Sequence, residues 1–211
     1  MADLPRRLFL TTSVLVTAGL LLPGTAAATG EPRIYSCDEW GARPPQDALV
    51  TLDTKPERIL VHHIASANST DYSLSHAFQV ALDCQHDHMD NNGWSDTGQH
   101  FTVSRGGYRL EGRHGSLDAL RAGDRMIRGA HCPGQNDSAI GIENEGTYIT
   151  ELPPQAQWDS LVALCAHVCT QYGIPPTEIK GHRDYYNTQC PGDALYAQLP
   201  QLRDEVSQAA L

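Results

Sequence analysis

Apolar positions recur along the chain with two periods, and these divide it into elements. Residues 58–64, "RILVHHI", are short, β-rich and apolar, and predict a strand. Residues 71–90 place Leu74, Phe78, Ala81, Leu82 and then Cys84 or Gln85 at helical spacing, with Asp71 or Ser73 able to cap the helix. Residues 99–112, "QHFTVSRGGYRLEG", read as a hairpin turning at Gly106-Gly107. "MIRGAH" (126–131) and "AIGIENEG" (139–146) predict further strands. The clearest helix spans 154–172, where Trp158, Leu161, Val162, Cys165, Val168, Cys169 and Tyr172 fall on one stripe. Pro153 and Pro154 open it, and Gly173 followed by Pro175 closes it. "EIKGH" (178–182) predicts a last short strand and 193–208 a terminal helix. Strands and helices mix without strict alternation, so the expected class is α/β (α+β), a central mixed sheet with helices packed on it.

The first 28 residues stand apart. Arg6-Arg7 precede an apolar run ending at Leu22, and Ala26-Ala27-Ala28 supply a small-residue cleavage site. This reads as a signal peptide, and the paired arginines suggest the twin-arginine route. The run is too short for a membrane anchor, so no membrane association is expected after cleavage. Its removal from the 211 residues leaves 183, enough for one domain. Residues 29–57, rich in proline and polar side chains, read as an extended lead-in to a domain at 58–211. The formal charge of −10 becomes about −11 without the leader, which argues against nucleic acid as a partner. The product is expected outside the cell, as a monomer.

Export permits disulfides. The six cysteines are Cys37, Cys84, Cys132, Cys165, Cys169 and Cys190. With Cys190 set aside for the chemistry below, at least one thiol is left over. The pairing favoured is Cys84–Cys132, with Cys37 joined to the Cys165/Cys169 helix, although connectivity does not follow from sequence.

"GHRDYYNTQCPG" holds His182 at the end of a strand and Cys190 after seven intervening residues. A loop of that length can bring an imidazole and a thiolate to one zinc ion. By itself the spacing is a weak signal, and a bridged Cys190 in a disulfide-stapled structural domain is the rival. "LVHHIA" offers a third ligand. Strand alternation puts His63 on the face of Ile59 and Val61, toward the core, and His62 on the other face, toward an open groove. His62 is therefore the chosen ligand and His63 a core histidine. His86, His88, His100, His114 and His131 compete on composition, and His131 in "GAHCPG" suits a capping role equally well.

Two histidines and one cysteine leave a tetrahedral corner open, the pattern of catalytic rather than structural zinc, and the chemistry implied is hydrolysis of an amide or similar bond. On "AIGIENEG", Ile140 and Ile142 face the core, so Glu143 faces the groove as a candidate general base, with Glu145 a weaker one at the strand's end. A strand carboxylate serving only as a hydrogen-bond anchor is the plainer reading. Trp94, in "NGWSD", either lines the groove or is a structural aromatic. The chain has no H-E-x-x-H and no H-x-E with P-C-x-x-C, against the common zinc-protease helix and the nucleobase deaminases.

Taken together, "EWGARPP" (39–45), "ILVHHIA" (59–65), "HMDNNGWSDTGQHF" (88–101), "LEGR" (110–113), "GAH" (129–131), "AIGIENEG" (139–146) and "GHRDYYNTQCPGDALY" (181–196) resemble, in order, the zinc-dependent N-acetylmuramoyl-L-alanine amidases of the type-2 amidase and peptidoglycan recognition protein family. The resemblance covers nearly all of the chain after the leader. It implies a mixed sheet bearing a long groove for peptidoglycan, with the family's zinc ligands falling on His62, His182 and Cys190. Members without activity have typically lost one of these ligands, and this chain keeps all three. Two positions depart from the pattern. Gln99 stands where many amidases carry a tyrosine that assists hydrolysis; its amide can donate to an oxyanion but takes no proton, so either Gln99 stabilises charge or base duty moves to Glu143. Thr188, two before the cysteine, can hydrogen-bond substrate but brings no charge. A peptidoglycan-binding module without useful turnover is therefore the alternative.

Overall fold

The structure is a computed structural model that describes Met1 and residues 31–209; the leader and its cleavage site lie outside the described residues. In chain order the elements are β1 (Ile34–Tyr35), α1 (Cys37–Trp40), β2 (Thr51–Leu52), β3 (Arg58–His63), α2 (Leu74–His86), β4 (Phe101–Val103), β5 (Arg109–Glu111) and α3 (Ser116–Ala122). They continue with β6 (Met126–Ile127), β7 (Ala139–Asn144), α4 (Gln155–Tyr172), β8 (Ile179–Gly181), α5 (Asp193–Ala197) and α6 (Leu199–Ala209). Six strands form one mixed sheet in the order β1-β5-β4-β7-β3-β8; only β4 and β5 run antiparallel, as the predicted hairpin. β2 and β6 pair in a small antiparallel sheet of their own.

Register assigns the two faces. Val61 pairs with Ile142 and Ile142 with Phe101, so these point together, into the main core with Leu161, Leu164 and Val168 of α4 and Leu202 and Val206 of α6. Their neighbours Leu60, His62, Gly141, Glu143, Thr102 and Leu110 point to the opposite face. There α1 and α2 cover only part of the sheet, packing Trp40, Ala77 and Ala81 on Leu110. The uncovered part, over the C-terminal halves of β3 and β7, is the groove.

Local chemistry explains the element ends. Ser73 caps α2, its hydroxyl accepting from the His76 amide at 3.2 Å, and α2 runs on through a π-helical turn at Asp87–Asn91 rather than as one regular helix. α4 stops at Gly173 (φ +74°), whose N–H returns to Cys169 O. The terminal helix predicted as one piece is two, because Pro200 has no N–H to continue the ladder of α5. The strand predicted over 126–131 keeps only Met126 and Ile127. Beyond it, Asn136 Oδ1 accepts from both the His131 and Cys132 amides and turns the chain into a loop. Residues 31–57, read as extended, contribute β1 to the sheet edge and α1 to the second apolar cluster.

The disulfide expectation is overturned: all six cysteines are free. Cys37 donates to Gly112 O (3.3 Å) and packs with Trp40 and Leu110, whereas Cys165 and Cys169 lie in the core on the other face of the sheet. Cys132 packs with Leu60 and Ala139, and Cys84 Sγ accepts from the Gln99 amide. No helix among the described residues is long and apolar enough to cross a membrane.

Candidate active site

The groove narrows over His62 into a cavity of about 250 Å³. His62 is the next-to-last residue of β3, and its pairing partner on β7 is Glu143, so both side chains enter the cavity from adjacent strands. His182 opens the turn after β8, and Cys190 closes the loop that follows. The Arg183 amide donates to Cys190 O at 3.1 Å and the Tyr185 and Tyr186 amides to His182 O, so the two ends of the loop are tied together. Arg183 also donates from its guanidinium to Asp193 Oδ1 at 2.6 Å and to Gln189 O. Gly192 (φ +94°) lets this loop settle on β7's exit: a Cβ there would stand 2.2 Å from Tyr148 O.

The loop thus brings His182 and Cys190 to His62, with one nitrogen or sulfur atom of each within 4.8 Å of the others. The donor set suits zinc. His182 Nε2 is buried with no hydrogen-bond partner, and Cys190 Sγ meets only the backbone of His63, accepting from its amide at 3.3 Å and donating to its carbonyl at 3.9 Å. The imidazole nitrogen is left for a ligand the protein chain does not supply. Burial pushes His62 well below the ordinary imidazole value, with His131 and His182 adding to it, and lowers His182 too; both rings are neutral, as a metal requires. Burial pushes the Cys190 thiol up, and Glu143 adds to this.

His62 rests on a chain of buried imidazoles. Its Nε2 lies 3.1 Å from His131 Nδ1, and His131 Nε2 lies 3.2 Å from Ala139 O. Beyond it, His100 Nε2 donates to Ile127 O (2.7 Å) while His100 Nδ1 accepts from the Gly141 amide (2.9 Å). Burial holds His131 at about 3 and His100 at about 4, so both are neutral.

Glu143 faces His62 Nδ1 at 3.9 Å, outside hydrogen-bond range, and its Oε2 is buried without a partner. Burial raises its carboxyl to about 8. Gln99 and Thr188 line the same cavity. The Gln99 amide nitrogen donates to Cys84 Sγ (3.3 Å) and Thr102 Oγ1 (3.0 Å), and its Oε1 is the atom left buried and unpaired. Thr188 Oγ1 accepts from the Cys190 amide (3.1 Å), leaving its proton free to be donated. Trp94 also lines the cavity, tilted over His88 with centroids 4.7 Å apart.

All six residues expected at the site therefore meet in one cavity. Glu145 does not join them: its carboxylate turns away, accepting from the Arg105 amide (2.8 Å) and pairing with His76 (2.9 Å). His63 is buried and its Nδ1 accepts from the Tyr148 amide at 3.2 Å, the single hydrogen bond of a structural histidine, but it also touches the cavity instead of lying wholly in the core. Sequence reasoning missed the place of His131. The signal was present in the two glycines that make room for its ring: a Cβ on Gly129 would lie 2.7 Å from His131 Cδ2, and one on Gly141 2.6 Å from His131 Cγ.

Comparison with known proteins supports the same conclusion. Residues 52–193 match the family model of N-acetylmuramoyl-L-alanine amidase. Over 83% of its length the chain is 31% identical to the N-acetylmuramoyl-L-alanine amidase of Sus scrofa, but it spans only 28% of that longer protein. It is 32% identical to peptidoglycan-recognition protein LB of Drosophila melanogaster, over 83% of this chain and 70% of that one. Among solved structures, wild-type Drosophila PGRP-LB superposes with a TM-score of 0.68 at 31% identity, covering 79% of this chain and 92% of that one. The amidase LysC of Clostridium intestinale superposes with a TM-score of 0.65 at 25% identity, covering 83% and 98%. By fold and by motif order, the chain belongs to the N-acetylmuramoyl-L-alanine amidase and peptidoglycan recognition protein family.

Proposed function

We propose that the protein is a secreted zinc amidase that cleaves peptidoglycan between the lactyl group of N-acetylmuramic acid and the L-alanine of the stem peptide. The observation that carries this reading is the convergence of His62, His182 and Cys190 within 4.8 Å beside an unpartnered buried carboxylate oxygen. A zinc ion held by these three residues would polarise the scissile carbonyl and lower the pKa of water. Glu143 takes a proton from the attacking water as its oxygen bonds to the lactyl carbonyl carbon. It then returns that proton to the alanine nitrogen as the carbon–nitrogen bond breaks, giving a carboxylic acid and a free amine. Burial alone holds Glu143 mostly protonated at neutral pH, at about 8; a zinc ion beside it would favour the carboxylate, the form that accepts a proton. Thr188 donates its hydroxyl proton toward the developing oxyanion, and an oriented donor of this kind contributes about 3 kcal/mol. Gln99 joins it with its amide turned over, so that Oε1 accepts from Thr102 and Nε2 enters the cavity. The groove beyond, with Trp94 at its wall, holds the glycan and stem.

Mass analysis of digested muropeptides tests this. Cleavage should yield glycan bearing a free lactyl carboxylate and stem peptides beginning at L-alanine, and a chelator should abolish it. Wall binding without chelator-sensitive release would defeat the enzyme reading. It would favour the binding-only alternative, which rests on Gln99 standing where a tyrosine hydroxyl assists in relatives.

A further inference from the structure

The cavity explains three ligands and a base, but not why His131, which forms part of its wall behind His62, is boxed so tightly against the sheet. Its ring lies between the backbone of β7 at Gly141 and the loop at Gly129; a side-chain carbon at either glycine would overlap it, at 2.6 and 2.7 Å. His100 meets it edge-on, centroids 5.4 Å apart, and His62 meets it the same way at 5.0 Å. Asn136 Oδ1 fixes its backbone amide at 2.9 Å. Both ring nitrogens have partners in this orientation, and a flipped ring would lose both.

Its two nitrogens then have fixed duties. Ala139 O can only accept, so His131 Nε2, 3.2 Å away, carries the proton. The other nitrogen of a neutral ring is an acceptor, so the 3.1 Å contact from His62 must be donated by His62 Nε2–H. His62 Nδ1 is left with the lone pair, and it is Nδ1 that faces Glu143 across the cavity. Resting on the zinc-amidase reading above, we propose that His131 is a positioning residue for the metal centre. Through the relay His62 Nε2–H···Nδ1 His131 Nε2–H···O=C Ala139 it sets the tautomer and aim of His62, so that His62 binds zinc through Nδ1. A hydrogen-bonded partner behind a ligating histidine typically changes metal affinity ten- to a hundredfold.

Two variants and two measurements test this on the exported protein. His131→Leu fills the space without an acceptor. His131→Asn places Oδ1 near the position of the native Nδ1 and keeps the bond from His62. In a chelator competition with Zn2+, His131→Leu should lose about 10- to 100-fold in affinity, and His131→Asn should recover most of it. Nitrogen-15 spectra of the imidazoles should show wild-type His62 protonated at Nε2 without metal and ligated at Nδ1 with it. A folded His131→Leu protein that binds zinc as tightly as wild type, or wild-type His62 ligated through Nε2, overturns the proposal. If His131→Leu fails to fold, the wild-type spectra and the asparagine variant still decide. Failure of the amidase reading looks different: wild-type protein then binds zinc with the expected spectra and releases no stem peptide. A wild-type protein that binds no zinc overturns both.

Discussion

Replacing Glu143 by glutamine should make the zinc-free protein more stable while disabling it. The carboxyl sits at the C-terminal end of β7 with Oε2 buried and unpaired, and burial lifts it from the ordinary 4.5 to about 8. The folded state thus binds this proton more tightly than the unfolded chain. Stability from this group is complete below about pH 4.5, falls as pH rises, and levels off above about 8. At about 1.4 kcal/mol for each pH unit above the unfolded value, the folded protein gives up about 3 kcal/mol at pH 7. Glutamine has nearly the same shape and no proton to lose, so Glu143→Gln should match wild type at pH 4 and exceed it by about 2–3 kcal/mol at pH 7. Urea unfolding of chelator-treated proteins from pH 4 to 8.5 measures this directly. In the zinc-loaded enzyme, release of stem peptide should fall about 10²- to 10⁴-fold. A stability difference that is flat with pH, or of the opposite sign, refutes the buried-carboxyl reasoning. A pH-dependent gain without loss of hydrolysis makes Glu143 a buried burden rather than the base.

Cys190→Ser should abolish stoichiometric zinc in the purified protein by elemental analysis. It should also remove most of the roughly 2.7 kcal/mol that zinc at a hundred times its Kd adds to unfolding stability. The denatured, unreduced protein should react with six equivalents of a thiol reagent, as six free cysteines require; four or two would restore a disulfide. Trp94→Ala should raise KM for muropeptides about three- to tenfold with kcat nearly unchanged, the signature of uniform binding, whereas equal loss of kcat and kcat/KM would place the ring in the transition state.

The placement of His62, one proposed ligand, was legible because strand alternation is a strict rule: it falls on the face of Leu60, away from the core that Val61 joins. His63, one step on, is buried but also touches the cavity. The same rule placed Glu143 opposite His62, since β3 and β7 lie side by side with those residues paired. His131 was not legible because it sits on a loop after a two-residue strand, where no period constrains direction; its aim is set by Asn136 and by the space over Gly141. The cysteines misled for a related reason. Export makes pairing permissible, but pairing needs two sulfurs on one side of the sheet, and Cys37 and the Cys165/Cys169 helix lie on opposite sides. The break of the terminal helix at Gln198, two residues before Pro200, was visible in the sequence and outweighed by the apolar stripe running through it.

Around the cavity burial drives every shifted group toward its neutral form. His62, His131 and His182 are lowered, while Glu143 and Cys190 are raised. No arginine or lysine enters to compensate among the residues lining it. Such a site is expensive to hold in the absence of a cation, because a carboxyl oxygen and an imidazole nitrogen are buried with unmet bonding capacity. A divalent ion reverses the balance at once: it needs the imidazoles neutral, as they already are, and it favours the thiolate and the carboxylate that burial alone disfavours. The imidazole relay has the matching property. It is built from neutral rings ending on a backbone carbonyl rather than on a carboxylate, so it orients His62 without placing a second negative charge behind the metal. With a divalent ion bound as proposed, the charge of the site would be set by the ion, Cys190 and Glu143, which would leave Glu143 as the group to exchange a proton with substrate.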